Sequence, residues 1–193
     1  MYTSETALRA FREARHTFIA GSRIDMGALA TSLGVDRTSL FRWVGNRDRL
    51  LSEVLWSLAV PTLDAARRDA APSGAARIVD VLDQFTADLI QAPYFRRFLT
   101  REPARALRLL TTTESDVQSR FVHAVTELVA VEERSGEFDP VPLSAEELAR
   151  LLVRISESFT YADLISGETP DPLRARTTFE YVLRPSTPSI GDR

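Results

Sequence analysis

Apolar residues recur at every third or fourth position through most of the chain, which is the spacing of one face of an α-helix. The first such segment covers residues 3–20. Two short segments follow at residues 26–33 and 37–44, and each is preceded by an aspartate that can cap a helix. A longer segment begins after Asn46, and Pro61 is expected to kink or end it. The N-terminal part of the chain therefore predicts three helices followed by a longer fourth one.

The rest of the chain has the same periodicity, interrupted by proline and glycine. Apolar positions predict helices over residues 78–89, from 117 to near 136, and over 173–182, and Pro93 and Pro103 bracket short helical pieces. Ser144 and Glu147 have the spacing of a capping box, which predicts the start of one more helix. No stretch alternates apolar and polar residues as a half-exposed strand would. The sequence therefore predicts an all-α protein.

The helix that begins at Ser144 has two distinguishable sides. Besides its main apolar face, the helix has a second, weakly apolar side. A helix with two such sides is suited to a dimer bundle, and a charged residue lies nearly opposite the main face. Glu157 occupies that charged position and is expected to face solvent or a second subunit. The main apolar face consists of Leu148, Leu151, Leu152, Ile155, Phe159 and Ala162. The second side consists of Ala149, Val153, Ser156 and Thr160.

The two short segments near the N-terminus have the pattern of a helix-turn-helix. Gly34 lies between them, where a turn needs a residue that tolerates positive φ. In the second segment, Leu40 and Val44 share one face, and Thr38 and Arg42 share the opposite one. An apolar inner face and a polar outer face are what a DNA-recognition helix requires.

The overall charge of −3 conceals a difference between the two ends of the chain. The 24 basic residues are all arginine; residues 1–60 hold 8 of them against 6 acids, and residues 61–193 hold 16 against 21 acids. The first part can therefore approach a polyanion although the whole chain is acidic. Cysteine is absent, which excludes disulfides, zinc-thiolate sites and sensing by thiol oxidation.

Residues 29–51, LATSLGVDRTSLFRWVGNRDRLL, resemble the DNA-binding head of the TetR family of bacterial transcriptional regulators. The resemblance includes the turn at Gly34, the aromatic pair Phe41 and Trp43, and the basic Arg47 after a polar cap. The segment VRISESFTYADLISG resembles the QsdR-like branch of that family, which implies a lactone or acyl-type signal. The family's plan implies a helix-turn-helix head over residues 1–46, joined by a connecting helix to a helical-bundle ligand-binding and dimerisation domain over 47–184. The Pro, Ser and Thr content of residues 185–193 predicts a disordered tail.

The resemblance also implies roles for individual residues of the head. Positions that reach base edges match Arg37, Thr38 and Arg42, since arginine can bind guanine bidentately and threonine can touch a thymine methyl. Phosphate contacts match Ser39, Trp43 and Arg47, and Phe41 can pack on the sugar-phosphate edge. Asp25 stands where the family often has a phosphate-facing threonine, which leaves one backbone contact in doubt. The alternative is that the arginines are simply solvated and that Trp43 packs against the first helix.

The corresponding expectation for the second domain, residues 47–184 and called the body below, is a ligand pocket. Ser158 borders the apolar face of its helix and is a candidate polar anchor, and plain core packing is the alternative for the others. His16 and His123 lie on different predicted helices and no cysteine accompanies them, so no metal and no cofactor are expected. The candidate pocket residues are Trp56, Phe85, Phe121, Val125, Ile155, Ser158 and Phe159.

The sequence as a whole predicts a cytoplasmic homodimer that binds a palindromic double-stranded operator and is modulated, as a repressor, by a small apolar or amphipathic ligand. The chain has no segment apolar enough to span a membrane and no GxSxG, P-loop, GxGxxG or HExxH motif, so it is not expected to be an enzyme. Three alternatives stay open: a ligand-binding or interaction module that has lost DNA binding, a small helical enzyme, and a regulator without an effector.

Overall fold

A computed structural model describes residues 5–138 and 142–184, and these residues form α-helices and no strand. The prediction of an all-α protein is confirmed. The predicted tail, residues 185–193, lies outside the described residues. The helices are Glu5–Ile19 (α1), Met26–Leu33 (α2), Arg37–Val44 (α3), Arg47–Asp69 (α4), Gly74–Gln91 (α5), Pro93–Arg101 (α6), Pro103–Thr111 (α7), Val117–Ser135 (α8), Ala145–Thr160 (α9), Ala162–Ile165 (α10) and Pro172–Val182 (α11).

The short helices of the head begin and end where their capping residues place them. The Asp25 carboxylate accepts a hydrogen bond from the backbone N–H of Ala28 at 2.8 Å, and Asp36 does the same for Ser39. Gly34 has a φ of 68°, and its N–H bonds back into the last turn of α2. A side chain is strained at that φ, so glycine allows the tight turn between α2 and α3.

Pro61 lies inside α4, and the helix continues past it to Asp69. Of the two expectations for this proline, that it would end the helix is wrong, and that it would kink the helix stays a prediction. Pro61 is exposed, so water can replace the missing N–H at the carbonyl of Ser57.

The chain divides into two compact units. Unit 1 comprises residues 1–62 and 89–119, and unit 2 comprises residues 63–88 and 120–193. Unit 1 thus contains α6 and α7 as well as the head, so the compact units divide the chain differently from the predicted boundary at 46/47, which stays a prediction. Within unit 1, α1 packs on α2, α3 and α6.

Aromatic side chains fill the contact between α1 and α6 in unit 1. The ring of Phe18 lies edge-on to those of Tyr94 and Phe98, with centroids 5.9 and 5.5 Å apart. Such edge-to-face pairs add to the energy of apolar burial. In the core of unit 2, α9 packs on α11, whose Phe179 is fully buried.

The burial of the two sides of α9 differs from the expectation. Its weakly apolar side is core: Ala149 and Val153 have no exposed surface, and Ser156 is 2% exposed. Leu151, on the side expected to pack, is 41% exposed. The expectation that Glu157 faces solvent or a second subunit is wrong, because Glu157 is 8% exposed within this chain and pairs with Arg154 at 2.6 Å. Small residues allow a close helix contact, so this side is buried together with Leu148 and Leu152 of the main apolar face, which also have no exposed surface.

Ion pairs connect distant segments of unit 2. Arg176 of α11 donates to Asp80 and Asp83 of α5, each at 2.9 Å. The hydrogen bond to Asp83, and then that to Asp80, raises the pKa of Arg176. Arg77 of α5 pairs with the buried Glu132 of α8 at 3.2 Å. Within the described ranges, no helix has both the length and the apolarity needed to cross a membrane.

Candidate nucleic-acid interface

The recognition-helix candidate α3 is fixed by its inner face and open on its outer face. Leu40 and Val44 have no exposed surface. Arg37, Thr38 and Arg42 are exposed. Anchoring on one side holds the helix at a fixed angle, and the outer side is left free to enter a groove.

The polar residues at the start of α3 are partly committed to the helix cap. The Ser39 hydroxyl donates to the Asp36 carboxylate at 2.7 Å, and the Ser39 N–H donates to the same carboxylate at 2.8 Å. The hydroxyl bond and then the backbone bond hold the pKa of Asp36 below its ordinary value. Ser39 therefore stabilises α3 through Asp36, whatever else it contacts.

Two aromatic residues lie on α3. Phe41 is 37% exposed, and the Arg37 guanidinium carbon lies 5.6 Å from the centroid of its ring. This cation–π contact orients Arg37 without neutralising it. Trp43 is half-buried, so it both packs against the protein and presents an edge to solvent.

Arg47, the predicted phosphate contact at the start of α4, is turned into the protein. Two of its guanidinium nitrogens donate to the two carboxylate oxygens of Glu102, at 2.7 and 2.6 Å, and its Nε donates to the carbonyl of Ile24 at 2.6 Å. Its side chain is only 14% exposed. The predicted phosphate contact does not fit this orientation, because the whole guanidinium fork is engaged and would have to leave Glu102 first.

A second ion-pair cluster lies beside the first. The Asp48 carboxylate accepts from Arg105 at 2.9 Å and from Arg108 at 2.8 Å, and Arg105 also lies 3.4 Å from Glu102. The hydrogen bond from Arg47 lowers the pKa of Glu102 below its ordinary value despite the opposing effect of burial. The first turn of α4 is thus tied to the beginning of α7. Sequence reasoning missed the pairs made by Arg47 and Asp48, whose partners are more than fifty positions away.

The pocket candidates of unit 2 are only partly brought together. The rings of Phe85 and Phe121 are in contact, with centroids 4.8 Å apart. Val125 is buried, and Ile155 and Phe159 are half-buried.

The two remaining pocket candidates differ from the rest. Ser158, the predicted polar anchor, is exposed and donates to the carbonyl of Ile155 at 2.7 Å. Trp56 is half-buried and belongs to unit 1. Sequence reasoning missed a fully buried hydroxyl pair in unit 2, Thr86 and Ser156, whose oxygens are 2.8 Å apart. Among the described residues, no group of three metal-ligating side chains could hold a metal ion.

An all-helical chain with a three-helix head, whose third helix is anchored by apolar residues and presents arginines outward, has the build of a helix-turn-helix DNA-binding protein. Residues 73–184 match the family described as "Tetracyclin repressor-like, C-terminal domain". The chain belongs to the TetR family, a family of transcriptional repressors and not of enzymes. The assignment to this family that residues 29–51 suggested is confirmed.

Two solved structures are similar over almost the whole chain. The transcriptional repressor QsdR of the TetR family from R. erythropolis is 29% identical, with a TM-score of 0.83 over 92% of this chain and 94% of that one. The TetR family repressor AlkX from Dietzia sp. strain DQ12-45-1b, implicated in biodegradation of n-alkanes, is 22% identical, with a TM-score of 0.59 over 95% of each chain. The likeness to AlkX concerns the fold alone. Among curated proteins, no sequence matches this chain.

Proposed function

We propose that this protein is a cytoplasmic, homodimeric repressor that binds a palindromic operator through α3 and releases it when a small apolar or amphipathic ligand binds the body. The observation that carries the proposal is the build of α3, with Leu40 and Val44 buried and the side chains of Arg37, Thr38 and Arg42 exposed. The similarity to QsdR, described as a transcriptional repressor, supports the same function.

Base recognition is assigned to the outer face of α3. Arg37 stands in the first turn, which in helix-turn-helix proteins contacts base edges, and it can bind the O6 and N7 atoms of guanine bidentately. Thr38 can touch a thymine methyl group, and Arg42 lies further along the same face, one turn beyond Thr38. Trp43 and Phe41 are assigned to the sugar-phosphate edge.

A second copy of this chain is the proposed partner of exposed apolar residues in unit 2. Leu173 and Tyr181 of α11 are 76% and 69% exposed, and with Thr177 they lie at intervals of four on one face. Leu151 of α9 is 41% exposed. Such side chains are costly in water, and a two-fold axis would bury each of them against the same surface of the partner.

The proposed effector is apolar with at least one polar group. The rings of Phe85 and Phe121, tilted by 34° against each other, offer aromatic surface, and the hydroxyl pair of Thr86 and Ser156 offers a buried polar group in the same unit. The dimer is proposed to exist in two conformations that differ in the distance between the two heads, and only one distance matches the spacing of the operator half-sites. A ligand lowers operator affinity only if it binds more tightly to the conformation whose head distance does not match.

The ion pairs of unit 1 suggest how a ligand-dependent change of conformation is transmitted to the head. Arg47 and Asp48, the first two residues of α4, are held by Glu102 and Arg105 at the beginning of α7. A displacement of α7 would therefore pull on the first turn of α4, which directly follows α3 in the chain.

The test is fluorescence anisotropy with DNA from upstream of the protein's own gene, with and without excess unrelated DNA. We expect binding that survives the competitor, stoichiometry of a dimer per site, and release by an acyl lactone used as the probe ligand. An Arg37→Ala, Arg42→Ala double variant should lose the preference for the site. Binding that is equal for both DNAs would contradict sequence-specific repression.

The alternative, a ligand-binding module without DNA binding, is favoured by one observation: Arg47 is fully engaged by Glu102 and Ile24. The same assay decides between the two, since this module would bind the lactone and no DNA.

A further inference from the structure

We propose that Arg23, in the loop between α1 and α2, binds a phosphate of the operator backbone in an open concavity beside α3. This inference rests on the proposed DNA-binding function and adds a contact to it. The concavity has a volume of about 350 Å³, and its lining includes Arg23, Asp25, Arg37 and Asn46. All of its lining residues belong to unit 1.

The concavity lies on the side of the head that is assigned to DNA. Arg37 and Phe41 of α3 form part of its wall. Asn46, which caps α4 by accepting from the N–H of Arg49 at 2.8 Å, forms another part. A duplex whose groove receives the first turn of α3 must place one of its backbones close to this wall.

The charges of the wall leave an excess of positive charge, because Arg23 and Arg37 face one remaining acid, Asp25, whose carboxylate both arginines influence electrostatically. Four arginines line the concavity, and two of them, Arg47 and Arg105, are paired with Glu102 and Asp48. Arg23 is exposed, and its charge acts on the carboxylates of Asp25 and Glu102 from a distance, without an ion pair at contact distance among the described residues. Together with Arg37, whose contact with Phe41 preserves its charge, it makes the concavity attractive to an anion.

The negative charge of Asp25 on the same wall must be offset by a nearby positive charge if a phosphate is to bind there. The Asp25 carboxylate caps α2, and its bond from the Ala28 N–H, followed by one from Gly27, lowers the pKa of Asp25, so the group stays ionised. A negative charge at the start of α2 would repel a DNA backbone. Arg23, two positions earlier, supplies the opposite charge on the same wall.

A phosphodiester is the ligand that fits these groups. A guanidinium binds two phosphate oxygens at once, and a phosphate held there needs no enclosing pocket because the rest of the duplex is bound by α3. Such a contact fixes the position of the duplex and carries no information about its sequence.

The first experiment compares Arg23→Gln with wild type and with Arg68→Gln, which removes an exposed arginine of unit 2. Loss of one phosphate contact should weaken binding roughly fivefold to tenfold at 0.1 M salt and lower the slope of log K against log salt by about 0.9. The loss should be equal for operator and unrelated DNA, Arg23→Lys should recover most of it, and Arg68→Gln should match wild type.

The second experiment identifies the phosphate. Single methylphosphonates are placed along the operator, and each neutral linkage is tested with wild type and Arg23→Gln. At one linkage, the methylphosphonate should weaken DNA binding by wild type and should not weaken binding by Arg23→Gln any further. This non-additivity is expected if Arg23 contacts that phosphate directly.

Two results would overturn the inference alone: an Arg23→Gln variant that binds like Arg68→Gln, or one whose loss depends on base sequence. Additive effects at every methylphosphonate would also overturn it. If wild type binds no DNA, the proposed function fails together with the inference, and this outcome is distinguishable because the first titration already shows it.

Discussion

The two compact units carry opposite net charges. Unit 1 has 13 arginines against 9 acidic residues, a balance of +4, and unit 2 has 11 arginines against 18 acids, a balance of −7. The contrast exceeds that between the first sixty residues and the rest, because α6 and α7 add five arginines to unit 1. A chain that combines a basic unit with an acidic one favours an encounter with DNA through unit 1.

The same residue type serves different purposes in the two units. In unit 2, Arg77 and Arg176 join distant helices through Glu132, Asp80 and Asp83. In unit 1, some arginines do likewise, and the exposed Arg37 and Arg42 of α3 are the ones proposed to bind DNA. An arginine's role is therefore decided by whether a carboxylate lies within reach.

The strongest test of this contrast removes an acid from unit 2. Glu132 is 4% exposed at its side chain, pairs with Arg77, and accepts from the N–H of Gly74 at 2.8 Å. In Glu132→Ala, the buried N–H of Gly74 loses its acceptor. Arg77, whose side chain is 25% exposed, keeps only the carbonyls of Ala71 and Arg67 among the described residues. The free energy of unfolding should therefore fall by about 3 kcal/mol. Denaturant titration followed by far-UV circular dichroism measures the loss, and DNA affinity of the folded fraction should not change.

Glu132→Gln serves as the matched control for that variant. It keeps an acceptor for the N–H of Gly74 and loses only the charge, so it should be less destabilised than the alanine variant. Equal stability of the alanine variant and wild type would show that the ion pair does not connect α5 and α8 energetically.

The next effect concerns the exposed arginines of unit 1. Arg37→Ala or Arg42→Ala should each weaken operator binding by about 1–3 kcal/mol and relax the preference at one base position. Unfolding should be unchanged, because neither side chain has a buried partner. Binding to a set of single-base operator variants measures the preference. A loss that is uniform over all sequences would move these residues from the bases to the phosphates.

Local features of this contrast follow from the sequence. Periodicity and capping predict α3, and they identify Leu40 and Val44 as inner residues, because these properties depend on residues three or four positions apart. The Arg47–Glu102 pair spans 55 positions, and no local pattern connects its members.

The packing of α9 was mispredicted for a related reason. A helical pattern shows which side is more apolar, and the neighbouring helix decides which side is buried. The small residues Ala149 and Ser156 allow a close approach, so Glu157 is buried and Leu151 is left exposed.

A smaller effect is expected from the acid that holds Arg47 in unit 1. Glu102→Gln keeps an oxygen that can accept a hydrogen bond and loses the negative charge. The free energy of unfolding at neutral pH should therefore be about 1 kcal/mol lower than that of wild type. The pKa of Glu102 is lowered in the folded state by Arg47, so its contribution to stability is present above its unfolded pKa and disappears as the pH falls through the folded pKa.

The stability difference between wild type and Glu102→Gln should therefore shrink as the pH decreases from about 4.5, the ordinary value for this group. Denaturant titrations at several pH values measure it. A difference that stays constant down to strongly acidic pH would mean that the charge of Glu102 contributes nothing to holding α4 and α7 together. Release of Arg47 should also strengthen DNA binding by the variant, since the guanidinium becomes available to a phosphate.

The smallest effect separates buried from exposed pairs within unit 2 itself. Glu146 and Arg150 of α9 form an ion pair one helical turn apart, with side chains 60% and 66% exposed. Water and salt screen such a pair, and holding two long side chains costs conformational entropy, so Glu146→Ala should lower stability by only about 0.3–0.5 kcal/mol. The same titration used for Glu132→Ala measures it. A loss as large as that of the buried acid would mean that burial does not decide which arginine pairs stabilise this protein.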